Sequence, residues 1–495
     1  MLQIELVQDI EVLRQIALLQ EREIRKLHER LTALSLQLAR LTGQDATLVQ
    51  IEIDFLKDLL AQREQALFGD SSEKRPRSGE KSVSEKTPRK GHGPHEQIAL
   101  PIAEEIHELG DDEQICPECG GSLTEMTGQF EESEEITVVE RGFKVVTHRR
   151  KKYRCACNGC VVTAPGHLKL QPGGRYSIEF AVEVAASKYL DHLPLERQRR
   201  VMAREGLVVD SQTLWDQIEI LARHLEPAYE ELGRRVRKSA LVHADETHWR
   251  LMGKGNPKRW WVWSLNDSDT VFYRIQDSRS KEAAGAILKD YGGIVMADGY
   301  SAYEALARAG PKFRLVHCWA HVRRKYREAE ANFPRECGEI LDLIGKLYAV
   351  EREAPRSRDA VSLARRAELR SEKSKPLIAE IRAWAHRQRV LPESGLGRAI
   401  RYMLDLWPGL VAFLEEAEVP LDNNAAERGL RGIVVGRKNH YGSRSLRGTE
   451  VAALFYSLFE TAKLCGVEPK GYVLRAARQA IAQPDTSLIP ILQTA

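Results

Sequence analysis

A repeated ending constrains this chain more than any other feature. The apolar run ALVHA at residues 240–244 stops at Asp245, and GIVMA at 293–297 stops at Asp298. Between them lie two segments rich in β-branched and aromatic residues, RWWVWS at 259–264 and TVFYRI at 270–275, then a helical pattern over 280–291. A helix over 300–309 and a fifth strand, FRLVHC at 313–318, complete the series. Three strands in succession followed by strand–helix alternation is the order of a ribonuclease H-like sheet, in which the first and fourth strands lie side by side. That order predicts that Asp245 and Asp298 meet at one edge of the sheet.

Two carboxylates so placed repel unless a cation joins them. Magnesium takes hard oxygen ligands and leaves positions for water and phosphate, and a pair of such ions can stabilise both the attacking and the leaving oxygen of an in-line phosphoryl displacement. A third carboxylate is needed, and Glu427 in DNNAAERGLR is the candidate. Plainer readings stand beside this one. An Asp at a strand end is commonly a turn residue, and Asn424 with Glu427 has the spacing of a capping box. Glu246, Asp277 and Asp422 are further acids near the same place.

The rest of the chain reads as separate modules. Leu6, Ile10, Leu13, Ala17, Gln20, Ile24, Leu27, Leu31, Leu34, Leu38 and Leu41 recur in steps of four and three, a seam that asks for a partner helix, from another copy or from the same chain. Residues 68–99 are rich in Ser, Lys, Arg, Glu, Pro and Gly and read as a basic disordered linker. Five of the eight cysteines fall between Cys116 and Cys160. Cys116-Pro-Glu-Cys119-Gly-Gly has the form of a zinc knuckle, and Cys157 and Cys160 have the matching two-residue gap, with Cys155 as an alternative ligand. Val138-Val139 and residues 143–146 around these cysteines read as strands. Residues 195–205, Gly206 and 211–221 read as helix, turn, helix, with Asp210 or Ser211 as the N-cap; a DNA reader and an ordinary packed pair are equally compatible with it. Residues 320–415 are helical throughout.

The net charge of +3 does not by itself argue for nucleic acid, but its distribution is uneven. Between Arg428 and Arg447 there are six Lys or Arg and no acid, which suits a phosphate backbone as well as a solvated face. No apolar run approaches the ~20 residues needed to span a membrane, and the N-terminus does not read as a secretion signal. A cytoplasmic protein, nucleoid-associated when bound to DNA, is expected.

At LDHLPLERQ, HADETHWR, MADGYSAY, HCWAHVRRKY and LDNNAAERGLRGIVVGRKNHYGS the chain resembles the bacterial insertion-sequence transposases of family sixty-six, a DDE-class family. LFGDSSEK and CPECGG fit as well, and the resemblance runs from about residue 50 to 470. It implies a DNA transposase that binds the terminal inverted repeats of its element, cleaves at the element ends and transfers 3′-hydroxyls to target DNA. Asp245, Asp298 and Glu427 are then the catalytic acids and the ligands of Mg2+ (or Mn2+). Cys116, Cys119, Cys157 and Cys160 hold structural Zn2+, with Cys155 in the place where the family pattern usually has its third ligand. Arg323, Arg324, Arg428, Arg431, Arg437 and Lys438 contact DNA. His317, Cys318 and His321 match a family motif, either for phosphate contact or for support of the site. Accessory proteins from the same element are further expected partners.

The expected architecture is therefore an α/β ribonuclease H-like core with a large helical insertion, preceded by a coiled coil, a zinc-ribbon module and a helical DNA-binding region. The expected boundaries are 1–67 coiled coil, 68–99 linker, 100–165 zinc module, 166–236 helical region, 237–319 first part of the core, 320–418 insertion and 419–495 glutamate helix and C-terminal helices. Two rival functions use the same sequence: a non-catalytic zinc-dependent DNA-binding protein, dimeric through its heptads, and a nuclease without strand transfer.

Overall fold

Runs of apolar, β-branched and aromatic residues, covered on both faces, build the central sheet of the computed structural model, which describes residues 142–154, 161–253, 258–310, 313–355, 357–484 and 486–492, with Ala33 and Ser122 alone outside them. The heptad seam, the linker and all five clustered cysteines lie outside the described residues. The first short strands, β1 (Lys152–Arg154) and β2 (Val161–Thr163), pair antiparallel with Arg154 opposite Val161. In sequence, the residues between these two strands include Cys155, Cys157 and Cys160. The expected strand at 143–146 is not found: among the described residues 142–150 form no helix or strand, and Val145 is 90% exposed. With its side chain in water, that valine has no sheet face to bury against.

Three helices follow: α1 (Ile178–Tyr189), α2 (Leu195–Arg204) and α3 (Ser211–Val236). Asp210 caps α3 by accepting the Thr213 amide at 2.6 Å. Between α2 and α3, Gly206 takes φ +84°, the left-handed conformation that ends a helix cheaply. The helix-turn-helix is thus formed. Its second helix runs on well beyond residue 221, because Leu225, Ala228, Leu232 and Val236 continue the apolar stripe into the core.

The sheet holds β3 (Leu241–Leu251), β4 (Lys258–Asn266), β5 (Val271–Gln276), β6 (Ile294–Ala297) and β7 (Arg314–His317) in the order β5-β4-β3-β6-β7. β3, β4 and β5 are antiparallel, whereas β6 and β7 are parallel to β3. This is the expected strand order, with first and fourth strands adjacent. Helices α4 (Lys281–Leu288) and α5 (Ser301–Arg308) cover the face carrying Val242, Ala244, Val295 and Ala297.

The opposite face is shared by two groups of helices. Over Leu241, Met296 and Val316 sits the helical insertion: α6 (Trp319–Ala329), α7 (Pro334–Glu353), α8 (Ala360–Leu369), α9 (Lys375–Arg387), α10 (Gly395–Asp405) and the short α11 (Trp407–Leu410). Its charge pair Arg370–Glu351 is bidentate, with both N–O distances 2.8 Å. Arg370 also donates to the Phe413 carbonyl at 2.8 Å. Over the β4–β5 half lie α12 (Asn424–His440) and α13 (Leu446–Leu464), with α14 (Pro469–Ala482) packed against α13, α1 and α3. Ser457 and Thr461 of α13 accept the Tyr273 and Val271 amides, so the outer strand β5 is covered by a helix rather than left open to another chain. No helix among the described residues is long and apolar enough to cross a membrane.

Candidate active site

The two aspartates reach one place by different routes. β6 ends before Asp298, as expected. β3 does not end at Asp245; it runs on to Leu251, because β4 keeps pairing with it from His243↔Asn266 to Leu251↔Lys258. What changes beside Asp245 is the neighbour on the other side. The parallel register Leu241↔Ile294, Val242↔Val295, His243↔Met296, carried on by two residues, brings Asp245 level with Asp298 and on the same face.

Each aspartate is fixed locally. Asp245 Oδ1 accepts the Glu246 amide at 2.8 Å, and Asp298 Oδ1 accepts the Tyr300 amide at 2.9 Å. The Asp298 turn depends on Gly299, at φ +90°, where a Cβ would lie 2.6 Å from a Leu406 methyl and 3.0 Å from the Tyr402 hydroxyl oxygen. Tyr402, from the insertion, donates to the Asp298 carbonyl. The insertion therefore helps to set an acid of the sheet. Burial, then the charges of Glu246 and Asp298, push the Asp245 carboxyl up to about 8, with Glu427 a smaller contributor in the same direction.

Glu427 lies in the first turn of α12. The capping box is not used: the N-cap is Asn423, one residue earlier, and its side chain makes no cap bond. That side chain is wholly buried and engages β3 instead, accepting from His243 Nδ1 at 2.8 Å and donating to the Ala244 carbonyl at 2.8 Å. Its amide donates to Cys318 Sγ at 3.1 Å. Burial lowers the His243 imidazole to about 4 and raises the Cys318 thiol to about 12, so both are neutral in this brace. Asn423 thus ties the start of the glutamate helix to the residues just before Asp245. Sequence reasoning passed over it in favour of Asn424, and its place in DNNAAER was the only available signal.

The Glu427 carboxylate sits 3.8 Å from His321 Nε2 and 3.9 Å from Arg324 Nη2, both on α6. Among the described residues, no group of three or more His, Cys, Asp or Glu side chains stands arranged to hold a metal ion. The aspartate pair is assembled, and Glu427 faces α6. Glu246, on the other face of β3, forms a buried ion pair with Arg279, whose guanidinium stacks 3.8 Å from the Tyr300 ring centre.

The expected DNA-binding cations separate into two kinds. Arg428, Arg431 and Lys438 form an exposed stripe on α12 that starts beside Glu427, and Arg323 is exposed on α6. Arg437 turns inward and donates to Thr247 Oγ1 at 3.0 Å and to the His248 carbonyl, and Arg324 is half-buried against Glu427.

The Transposase IS66 family model matches residues 173–451, more than half of the chain. The chain belongs to the IS66 transposase family. A second model, the zinc-finger binding domain of transposase IS66, matches residues 113–158. Among relatives, uncharacterized protein y4qI of Sinorhizobium fredii (strain NBRC 101917 / NGR234) is 31% identical over 412 residues, 79% of this chain and 74% of the relative. Uncharacterized protein y4jD of the same organism is 29% identical over 393 residues, 75% of this chain and 76% of that one. A solved structure, the Mos1 transposase paired-end complex with left transposon end, aligns over 49% of this chain and 80% of its own at 13% identity, with a TM-score of 0.13. That score is too low for any comparison of detail. The IS66 transposase match spans β3 to α12 and so encloses both aspartates, the insertion and Glu427. The zinc-finger match contains Cys116, Cys119, Cys155 and Cys157 and ends before Cys160.

Proposed function

We propose that this IS66-family chain is a DDE transposase in the full chemical sense: a nuclease that cuts DNA at the ends of its element and then joins the freed 3′-hydroxyl to target DNA. The observation that carries this reading is the level placement of Asp245 and Asp298 on neighbouring parallel strands, with the glutamate helix braced to the same strand through Asn423.

The donor set fits a divalent ion. It consists of hard carboxylate oxygens, and burial and neighbouring carboxylates push the Asp245 carboxyl up to about 8, a penalty that an added cation relieves. Asp245, Asp298 and Glu427 would hold Mg2+ or Mn2+, Glu427 after leaving His321 and Arg324. When bound, such ions neutralise the charge that develops on the attacking and leaving oxygens. In the first step water attacks the phosphorus at the element end and the bond to the 3′ oxygen breaks, leaving a 3′-hydroxyl and a 5′-phosphate. In the second, that hydroxyl attacks a target phosphodiester; one P–O bond forms, one breaks, and the count of phosphodiesters is unchanged. The chain's own residues orient the backbone: Arg428 and Arg431, one and four residues after Glu427, offer guanidinium groups to phosphate oxygens.

The cysteine module is proposed to hold one structural zinc through Cys116, Cys119 and two of Cys155, Cys157 and Cys160. The extent of the zinc-finger match favours Cys155 and Cys157. The N-terminal seam is proposed to pair two copies, and the site of action is the bacterial cytoplasm.

The test uses a plasmid carrying the DNA that flanks the chain's own gene. Wild type should cleave it with Mg2+ and not with EDTA, and Asp245→Asn should bind it without cleaving. Cleavage by Asp245→Asn at the wild-type rate would remove Asp245 from the chemistry.

A further inference from the structure

The basic stripe of α12 runs in line with Glu427. Lys438 lies eleven residues after Glu427, three helical turns to within about 20°, so both face the same side of the helix, roughly 16 Å apart. Arg431, one turn from Glu427, lies between them. α12 also crosses the face of β3 that bears Asp245. Thr247 and Trp249, two and four residues further on, share that face. Arg437 donates to Thr247 Oγ1 at 3.0 Å, and the Trp249 indole donates to Ser443 Oγ at 3.1 Å. The stripe and the turn that follows it therefore lie on the aspartate side of the sheet.

That turn, residues 441–445, is held in place and presents a costly tyrosine. The Ser443 amide donates to the Arg250 carbonyl at 3.0 Å and the Met252 amide to the Ser443 carbonyl at 2.7 Å, which braces the turn against the β3–β4 hairpin. Gly442, at φ +113°, permits the approach, since a Cβ there would lie 2.2 Å from the Arg250 carbonyl oxygen. Tyr441 takes φ +62°, the left-handed conformation in which glycine commonly ends a helix. A side chain there is strained, and at 64% exposure burial does not offset the strain. Three residues on, Arg444 is exposed and makes no hydrogen bond or ion pair among the described residues. Lys188, near the end of α1, is half-buried close to Arg444. Burial and then that guanidinium lower its ammonium to about 8, and no carboxylate bears on it. A cation withdrawn from water without a counter-charge costs stability, and a bound anion removes that cost.

We propose that Tyr441, Arg444 and Lys188 hold the DNA duplex about 20 Å from the cut, the cations on backbone phosphates and the tyrosine ring on the deoxyribose beside them. Tyr441 comes fourteen residues after Glu427, at the far end of the same helix. A duplex that follows Arg431 and Lys438 away from the metal site reaches the turn after about six base pairs. The inference rests on the proposed DNA substrate and names where the chain grips it; its test reads binding alone.

Full-length protein is titrated with a fluorescent random-sequence duplex in EDTA, between about 50 and 200 mM salt. The slope of log K against log salt should fall by about 1.8 in Lys188→Gln/Arg444→Gln, one phosphate contact for each cation. It should stay unchanged in Arg387→Ala/Arg389→Ala, two exposed arginines on and just after α9. A fall of less than about 0.9 in the first pair, or an equal fall in the second, overturns the proposal. Tyr441→Gly separates binding from folding. Glycine relieves the left-handed strain, so this variant should melt no lower than wild type. It should nevertheless bind about threefold to tenfold more weakly at every salt concentration, with the slope unchanged, because an aromatic contact releases no counterion. Tyr441→Phe should bind as wild type does. Wild-type affinity in Tyr441→Gly removes the tyrosine from the site. Variants that bind like wild type in a protein that cleaves with Mg2+ sink this site and leave the reaction standing; variant effects in a protein that never cleaves do the opposite.

Discussion

Asp245 shows how one residue can cost the fold and serve the function. Without a cation its carboxyl is pushed up to about 8, above its unfolded value. The folded state therefore holds that proton to higher pH, and stability is lost as pH rises from about 4 to about 8. Asp245→Asn without metal should melt higher than wild type by roughly 1–2 kcal/mol at pH 8, and the gain should vanish below about pH 4. The same variant should lose the melting shift that Mg2+ gives wild type; calorimetry with and without Mg2+ checks both, and a metal-free variant that melts lower contradicts the repulsion. Asn423→Ala should act the other way. It strands His243 Nδ1 and the Ala244 carbonyl in the interior, at a cost of about 2–4 kcal/mol, and it loosens the Glu427 helix, so denaturation and cleavage should both suffer. The two aspartates were legible because each ends or interrupts an apolar run. Asn423 and Tyr402 were not, because their partners are 179 and 104 residues away in sequence, and no local pattern records such a contact.

At the level of elements, periodicity located the strands and helices well and misplaced those whose limits depend on a neighbour. β3 was expected to stop at Asp245; pairing with β4 carries it to Leu251. Residues 143–146, with β-branched Val145 and Val146, were expected as a strand, but both valines lie in water. The capping-box spacing at Asn424 was real, yet the helix starts on a residue whose side chain is already used. The turn after α12 makes two sharp demands. Gly442→Ala combines a strained φ with a clash against Arg250, and should cost roughly 1–3 kcal/mol in chemical denaturation; a neutral effect would show that the hairpin brace is slack. His440, in the last turn of α12, is lowered to about 3 by burial and then by Lys188. Its folded value lies below the unfolded one, so it withholds a proton that the unfolded chain takes up below about 6.5. Stability should fall as pH drops from about 6.5 toward 3, and His440→Gln should flatten that fall in a series of melts.

Across the molecule, the order of elements carried most of what could be read in advance. The five strands and the adjacency of the first and fourth followed from runs and breaks, and the sheet has the order β5-β4-β3-β6-β7; that the long helical stretch is an insertion before the glutamate helix was legible only through the family resemblance. What could not be read is how the parts share an interior. Helices α1 to α3 pack into the same core as β3 to β6 and α13: Tyr229 on α3 stacks on Phe272 of β5 rather than facing solvent. The zinc module carries its own test: metal analysis of the whole chain should find one zinc, lost on Cys116→Ser, and a folded zinc-free protein would remove it. The convergence of Asp245, Asp298 and Glu427 on shared divalent ions is best measured with Mn2+ and DNA bound to the whole chain, using the anomalous signal to find the metal. The expected map has manganese about 2.1 Å from oxygens of all three carboxylates, with Glu427 withdrawn from His321 and Arg324. Manganese bound to the aspartates alone in a complex that still cleaves, with Glu427 remaining on α6, would contradict it.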